Sequence, residues 1–249
     1  MKALRTVIGK FLPVGFLLLI ASLGFNFTRR EAVPSFTSAP SADLSHDVAD
    51  RSRSLFGLYD DLQLGSLDLS RDAWQRALQG FQALQSAGQL VNAGVLTIID
   101  FSLPSTQKRL FVIDLRNGRL LFNTLVAHGR NSGKVMATRF SNRCNSYMSS
   151  LGVYLTGQPF IGSHGYSLRL EGMEKGWNDH ALERAIVMHP APYVSERHIA
   201  EWGYLGRSEG CPAIPARLHK AIIDQIKGGS CLFIYAADEH YLDQADPFS

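Results

Sequence analysis

The chain has 249 residues, of which 45% are hydrophobic and 19% are charged, as in an ordinary packed globular protein. The formal net charge of +3 is misleading, because the first 30 positions hold five basic residues and no acids, and the remainder is slightly acidic. Composition therefore gives no indication of a nucleic-acid-binding protein, which needs a basic surface to contact phosphates.

The first 30 residues are typical of an export signal. Three basic residues precede an apolar run at 11–28, and two arginines follow it. The small residue Gly24 offers a cleavage site, but the run is also close to the length that spans a bilayer. We therefore expect a periplasmic or otherwise extracytoplasmic protein. Residues 1–30 would act either as a cleaved signal peptide or as a signal anchor that holds the chain at the inner membrane through residues 11–28.

Two segments separate this signal from the predicted domain. Residues 31–50 are rich in Ser, Ala, Pro and Asp, which indicates a linker. Residues 51–93 show helical spacing and form a predicted helical preface of two short amphipathic helices, with Ser70 as a candidate N-cap and Gly88 as a candidate stop. We expect the preface to pack against a sheet and assign it no other function. The apolar positions that recur three or four residues apart in its second helix are Trp74, Leu78, Phe81 and Leu84.

From residue 94 to 249 the pattern changes to short β-rich runs separated by Gly, Asn and Pro. Asn117-Gly118 lies between two of these runs, and this dipeptide is the strongest short-range signal for a tight hairpin turn. A helical pattern returns from Pro215 to Lys227, with Pro in the first turn and two glycines after the end. We predict one mainly β (α+β) domain with few helices over residues 94–249.

The chain has three cysteines, Cys144, Cys211 and Cys231. Export favours disulfides, and an odd count leaves one thiol unpaired. Cys231 lies in an apolar run, so we interpret it as a small buried residue in a strand in preference to a partner of Cys144. The sequence leaves that pairing open.

Cys211 lies between Gly210 and Pro212 in the turn-like stretch YLGRSEGCPAIP. Glycine allows a positive φ or a close backbone approach. The helix expected near Pro215 would favour thiolate over thiol through its free N–H groups and its dipole. This local pattern fits a nucleophile and a tight turn with a chance cysteine equally well.

The position of His189 favours the nucleophile. His189 ends the apolar run RAIVMH, so it is expected at the end of a strand, where side chains project into a site. It comes before Cys211 with enough chain between them for a loop and a short helix to bring the chain back. A Cys-His pair within hydrogen-bond reach suits acyl transfer, because the imidazole takes the thiol proton and later gives it to the leaving amine.

Several segments between residues 95 and 237 resemble, in order, the YkuD-type L,D-transpeptidases of bacterial cell walls, and more closely their variant branch, the murein L,D-transpeptidase catalytic domain family. The family's motif is a His after a β-strand, then an interval, then Ser or Thr, His, Gly, Cys, any residue, and Asn or Arg. His189, Ser208, Gly210 and Cys211 match it. The likeness extends through VAHGRNSG, RFSN, SSLGVY, GSHGYSLRLEG and GRSEGCPAIP.

Two positions depart from the motif. Glu209 stands where the motif has its second His, and Ala213 stands where it has Asn or Arg. The assignment of Cys211 does not depend on them, but substrate anchoring does. Arg207 or Arg130 is a candidate source of the missing positive charge.

The resemblance implies an L,D-transpeptidase-like β-sandwich or barrel in which Cys211 is the nucleophile and His189 is the general base and then the general acid. It implies that the Pro190 carbonyl orients the imidazole. Backbone N–H groups around Gly210 and Cys211 would form an oxyanion hole. The remaining candidates for oxyanion or substrate binding are Ser208, Arg207 and His164.

The implied substrate is a peptidoglycan tetrapeptide stem, cleaved between meso-diaminopimelate and the terminal D-Ala. No metal or other cofactor is implied, because the thioester conserves the energy of the broken bond. Transfer of the acyl group to an amine of another stem makes the protein a transpeptidase, and transfer to water makes it a carboxypeptidase.

Three alternatives stay open. Cysteine peptidases and amidases of the cell wall usually place the Cys before the His, the reverse of the order here. A catalytically silent peptidoglycan-binding domain gains weight from the two departures, but it has no physical need for a Cys-His pair. A mixed zinc site is chemically reasonable, but the sequence lacks a closely spaced ligand pair. Its ligands would be His164, His189, His198 and Cys211.

Overall fold

The computed structural model describes residues 55–244. The predicted signal at 1–30 and the predicted linker at 31–50 lie outside these residues. Within 55–244, no helix has both the length and the apolar character needed to cross a membrane.

The preface contains the predicted helices. Residues 55–61 are helical, a 3-10 helix follows at Leu64–Leu67, and α1 spans Arg71–Ser86. Ser70 caps α1, because its hydroxyl accepts the Ala73 N–H at 2.9 Å. The predicted apolar face of α1 is buried, which confirms the helical interpretation. Its large buried side chains are Trp74, Leu78, Phe81 and Leu84.

The rest of the described chain is mostly strand. The strands are β1 (Val95–Asp100), β2 (Leu110–Asp114), β3 (Arg119–Thr124), β4 (Gly152–Gly162), β5 (Gly165–Gly172), β6 (Val187–Ala191), β7 (Ala213–Pro215) and β8 (Cys231–Tyr235). The helices that interrupt or follow them are α2 (Glu196–Trp202), α3 (His219–Ile226) and α4 (Glu239–Gln244).

These strands form one mixed sheet in the order β3-β2-β1-β8-β4-β5-β6-β7. The pairs β1–β8 and β6–β7 are parallel, and the others are antiparallel. Beyond β3 the chain reaches the opposite edge, where Ala127 N–H donates to the Ala213 carbonyl at 2.8 Å and Ala213 N–H donates back at 3.3 Å. The sheet therefore nearly closes on itself, which confirms the predicted mainly β class with few helices.

The hairpin predicted at Asn117-Gly118 is present between β2 and β3. Its turn spans residues 115–118, longer than the two-residue turn expected. The Asp114 carboxylate holds it by accepting the Asn117 N–H at 3.0 Å and the Asn117 Nδ2 at 2.8 Å. Gly118 adopts a φ of +57°, a conformation that favours glycine.

The hydrophobic core is shared by the preface and the sheet. α1 contacts β1, β4 and β8, and its buried residues belong to the same cluster as those of the central strands. Gly80 lies where α1 meets β4, and a Cβ at this position would be 2.4 Å from Cγ2 of Val153. Glycine thus permits the close approach of helix and strand.

The helix predicted from Pro215 to Lys227 begins later than expected, at His219. Pro215 is the last residue of β7, because the chain from Ala213 to Pro215 pairs in parallel with β6. Sheet pairing therefore uses residues that the helical pattern had included. On the apolar face that the helical spacing of Leu218, Ile222 and Ile226 predicts, Ile222 and Ile226 are buried and Leu218 is half-buried.

We expect Trp74→Ala to lower the free energy of unfolding of the whole domain by about 3–5 kcal/mol, because the indole is 1% exposed in the shared core. Urea denaturation followed by circular dichroism measures this. Gln79→Ala, on the exposed face of the same helix, is the control and should change stability by less than about 0.5 kcal/mol. A separate early transition for the helix would contradict a shared core.

Candidate active site

Cys211 lies two residues before β7, in a loop fixed by backbone contacts. Ser208 N–H donates to the His128 carbonyl at 3.0 Å. The Ser208 hydroxyl donates to the Cys211 carbonyl and accepts the Gly210 N–H at 3.1 Å. Gly210 has a φ of +124°, and a Cβ there would lie 2.8 Å from the Met148 carbonyl oxygen. The Ser and Gly of the motif are thus explained by the shape of the loop.

His189 is the central residue of β6 and is paired with Ala213 of β7. The backbone N–H of His189 donates at 3.4 Å to the carbonyl of Pro212, the residue that follows Cys211 in the chain. The Nδ1 of His189 lies 3.0 Å from the Pro190 carbonyl oxygen. Since a carbonyl only accepts, the proton of the neutral ring is on Nδ1 and Nε2 is the nitrogen left to accept a proton.

The thiol of Cys211 is held by the chain that leads into β6. Its Sγ–H donates to the Ala185 carbonyl at 3.7 Å. Ala185 has a φ of +52°, an uncommon conformation for a residue with a Cβ. The Val187 N–H points at the same sulfur and stabilises its anionic form.

Burial dominates the electrostatics of both groups. It raises the pKa of the Cys211 thiol, although the Val187 N–H and the Arg184 guanidinium act in the opposite direction. Burial also lowers the pKa of His189, and the hydrogen bond to Pro190 opposes this only in part. Both changes favour a neutral thiol and a neutral imidazole in the resting protein.

The sequence predicted a helix start near Pro215 that would favour the thiolate, but α3 begins later, at His219, after β7 and a turn. Desolvation has the largest effect on the pKa of the Cys211 thiol, because the thiolate loses its hydration in the folded protein.

A pocket of about 650 Å³ opens over Cys211 and His189. Of the residues predicted for the site, it brings together Cys211, His189, His164, Ser208 and Arg207 on its walls. Gly210 and Pro190 lie behind the wall, where they act through their backbones. Other side chains on the walls were not predicted. They include Tyr147, Phe160, Arg184, Tyr193 and Glu209.

His164 lies at the exposed turn between β4 and β5, and its ring stacks on that of His189. The ring centroids are 4.4 Å apart and the planes are inclined by 24°. The turn therefore places a second imidazole against the buried one. The sequence indicated His164 as a candidate through its flanking glycines, but not this contact.

The Gly210 N–H is engaged with the Ser208 hydroxyl, so the expectation that it is a free oxyanion donor is not met in the resting structure. Of the two amides expected there, Cys211 N–H is the remaining candidate.

Among the candidates for the missing positive charge, Arg130 lies 3.5 Å from the Glu209 carboxylate, with both side chains largely exposed. Arg207 donates to the carbonyls of Arg130 and Gly133.

The other cysteines do not join the site. Cys231 is buried in β8, as predicted, and Cys144 is exposed and donates to the Glu183 carboxylate at 3.4 Å. All three thiols are free. Within residues 55–244, no three His, Cys, Asp or Glu side chains are grouped to hold a metal ion. His198 lies on α2 and stacks on Trp202.

The fold and the site together define a nearly closed β domain with a cysteine and a histidine on neighbouring parallel elements of one pocket. A family model described as the L,D-transpeptidase catalytic domain matches residues 66–235 of the chain, which is more than half of its length. The chain belongs to this family, so the resemblance in its sequence is confirmed. The match begins within the predicted preface and includes α1.

Solved structures of L,D-transpeptidases are similar to the chain at low identity. One from Mycobacterium smegmatis is 14% identical, with 57% of this chain and 59% of that chain covered and a TM-score of 0.35. One from Stackebrandtia nassauensis is 14% identical, with 68% and 67% covered and a TM-score of 0.35. The chain thus spans less than two thirds of the length of the mycobacterial structure. The comparison with curated proteins found no match.

We expect Gly210→Ala to slow acylation of Cys211 by about tenfold or more, because the new Cβ cannot lie 2.8 Å from the Met148 carbonyl and the loop must move. Mass spectrometry of the protein after a carbapenem pulse measures this rate. Gly176→Ala is the matched control, since Gly176 also has a positive φ, +83°, but has open space around it. Equal rates in the two variants would contradict the role of the close contact.

Proposed function

We propose that this chain is a peptidoglycan L,D-transpeptidase that acts on tetrapeptide stems through a thioester on Cys211, with His189 as general base and acid. Membership of the family supports the reaction class. The observation that carries the residue roles is the parallel pairing of β6 with β7, which puts His189 and Cys211 on the wall of the same pocket.

The reaction starts from the neutral pair. The Cys211 side chain turns away from the Ala185 carbonyl, and its proton passes to Nε2 of His189 as the sulfur attacks the carbonyl carbon between meso-diaminopimelate and D-Ala. The Cys211 N–H stabilises the tetrahedral oxyanion, a contribution of about 3 kcal/mol for one donor. The C–N bond then breaks, and the departing D-Ala amine takes the proton from the imidazolium.

The thioester next transfers its acyl group. An amine of a second stem attacks the thioester carbon while His189 accepts a proton from it, and the departing thiolate recovers that proton. The product is a 3-3 cross-link. Water in place of the amine gives a shortened stem, which is carboxypeptidase activity. The walls suit a stem peptide with carboxylates, because Arg207 faces the pocket.

This function requires export, since peptidoglycan lies outside the inner membrane. We therefore propose that residues 1–30 direct the chain to the periplasm or an equivalent extracytoplasmic space. Fractionation of cells that produce the full chain, or a chain without residues 1–30, tests this proposal.

We expect the pure protein to convert tetrapeptide muropeptides into 3-3 dimers or tripeptides, and Cys211→Ala to form neither product. Liquid chromatography with mass spectrometry identifies which acceptor is used. Cys144→Ala is the matched control, because this thiol is exposed and bonded only to Glu183. A folded protein that gains no carbapenem adduct and releases no product would contradict the proposal in favour of a silent binding domain.

The loss of activity on the acid side of the pH profile measures the protonation of His189. Since the imidazole must be neutral to accept the thiol proton, activity falls as pH falls through its pKa. Burial lowers that pKa, so we expect the midpoint of this loss in kcat/KM below about 6.5, the ordinary value of histidine. Acylation rates between about pH 4.5 and 8 measure the midpoint. A midpoint at or above the ordinary value would contradict the assignment of His189 as the base.

A further inference from the structure

Arg184 is a half-buried arginine in the turn before β6 that the motif of the family does not include. Its Nη1 donates to the Ser150 hydroxyl. Its Nη2 donates to the Met148 carbonyl at 2.6 Å and to the Ser146 hydroxyl at 3.4 Å. Three acceptors from one segment of the chain, residues 146–150, therefore fix the plane of the guanidinium.

This guanidinium lies beside the peptide that precedes the nucleophile. A Cβ built on Gly210 would be 3.3 Å from Nη2 of Arg184, so no side chain separates the charge from the Gly210–Cys211 backbone. Arg184 also lines the pocket with Cys211. The residue next to it, Ala185, supplies the carbonyl that accepts the hydrogen bond of the Cys211 thiol.

Other titratable groups face Cys211 from each side of the pocket. Tyr154 on β4 and Tyr193 after β6 are neutral, since burial raises the pKa of both, that of Tyr193 to about 12. His189 is neutral for the reason already given, and Glu209 opposes the thiolate with a charge that Arg130 partly compensates. The remaining titratable groups on the walls are Tyr147, His164 and Arg207.

We propose that Arg184 is a positioning residue for Cys211: its guanidinium, held beside the Gly210–Cys211 peptide by the 146–150 segment, is the positive charge against which the thiolate forms. This inference rests on the proposed function, because it assigns Arg184 a part in activating the proposed nucleophile. The motif has Asn or Arg at the position of Ala213. In this chain, Arg184 would supply the positive charge from a different segment, the turn before β6.

The physical need for such a charge follows from burial. An anion that leaves water without a partner is strongly disfavoured, and a cation within about 4–6 Å typically lowers the pKa of an acid by about 1–3. Both the Val187 N–H and Arg184 favour the thiolate against the effect of burial. A fixed planar cation keeps this effect constant while the substrate enters, whereas a mobile one would be free to pair with the substrate instead.

The test is the pH profile of Cys211 alkylation by iodoacetamide in the full chain, read at the peptide level by mass spectrometry. In Arg184→Gln and Arg184→Met, we expect the midpoint to move up by about one pH unit or more and the rate at neutral pH to fall about tenfold. Glu209→Gln should move the midpoint in the opposite direction. A change that depended only on packing would not give opposite signs.

Arg169→Gln is the matched control, because it removes an exposed arginine of β5 whose guanidinium lies over the ring of Phe160 on the pocket wall. It should leave the midpoint unchanged. An unchanged midpoint in folded Arg184→Gln and Arg184→Met overturns the inference, and so does an equal upward shift in Arg169→Gln. Labelling of buried Cys231 shows whether each variant is folded.

If both neutral variants fail to fold, Arg184→Lys decides. It keeps the charge but cannot occupy the same three acceptors, so a smaller upward shift is expected and no shift overturns the inference. The alkylation needs no muropeptide, so its outcome is separate from that of the proposed function. If the alkylation midpoint shifts in the Arg184 variants but the protein forms no muropeptide product, only the transpeptidase proposal is contradicted. If the protein turns over muropeptides but the midpoint does not shift in the Arg184 variants, only this inference is contradicted.

Discussion

The parallel pairing of β6 and β7 is the constraint on which the site depends. It joins two short segments that are distant in the chain, through His189 and Ala213, and so places the loop that holds Cys211 next to the strand that holds His189. The other edge of β7 is paired as well, because Ala127 exchanges two hydrogen bonds with Ala213. A three-residue strand held from both sides is a rigid support for the loop before it. Near-closure of the sheet and placement of Cys211 are thus consequences of the same contacts.

Cys211 and His189 line the same pocket and are both neutral at rest, because burial disfavours the thiolate and the imidazolium. Val187 N–H and Arg184 offset part of the cost for the sulfur. In the proposed reaction, neither group has to be neutralised before the proton is transferred.

Much of the fold could be predicted from local pattern. The face of α1, its Ser70 cap and the hairpin at Asn117-Gly118 depend on residues close together in sequence, and each was found where the pattern placed it. The order of His189 and Cys211 also led to the prediction of a shared site, and both residues line the same pocket. The helix near Pro215 was placed too early because strand β7 is only three residues long, too short to leave a periodic signal.

The parts of the site that could not be predicted depend on tertiary contacts. Arg184 lies before β6 with nothing in its neighbours to distinguish it, and its position beside Cys211 follows from the bonds to residues 146–150 and from the bare Gly210 backbone. The raised pKa of the thiol depends on burial by distant segments. The stacking of His164 on His189 requires the β4–β5 turn to fold over β6.

The bond from the Cys211 thiol to the Ala185 carbonyl has a chemical consequence of its own. Oxidation of cysteine to sulfenic acid follows thiolate character and exposure, and a protonated sulfur whose hydrogen is held by a backbone oxygen has little of the first. Ala185 holds that oxygen in place through an uncommon backbone conformation. The same hydrogen bond that keeps the resting sulfur protonated therefore also lowers its reactivity towards oxidants.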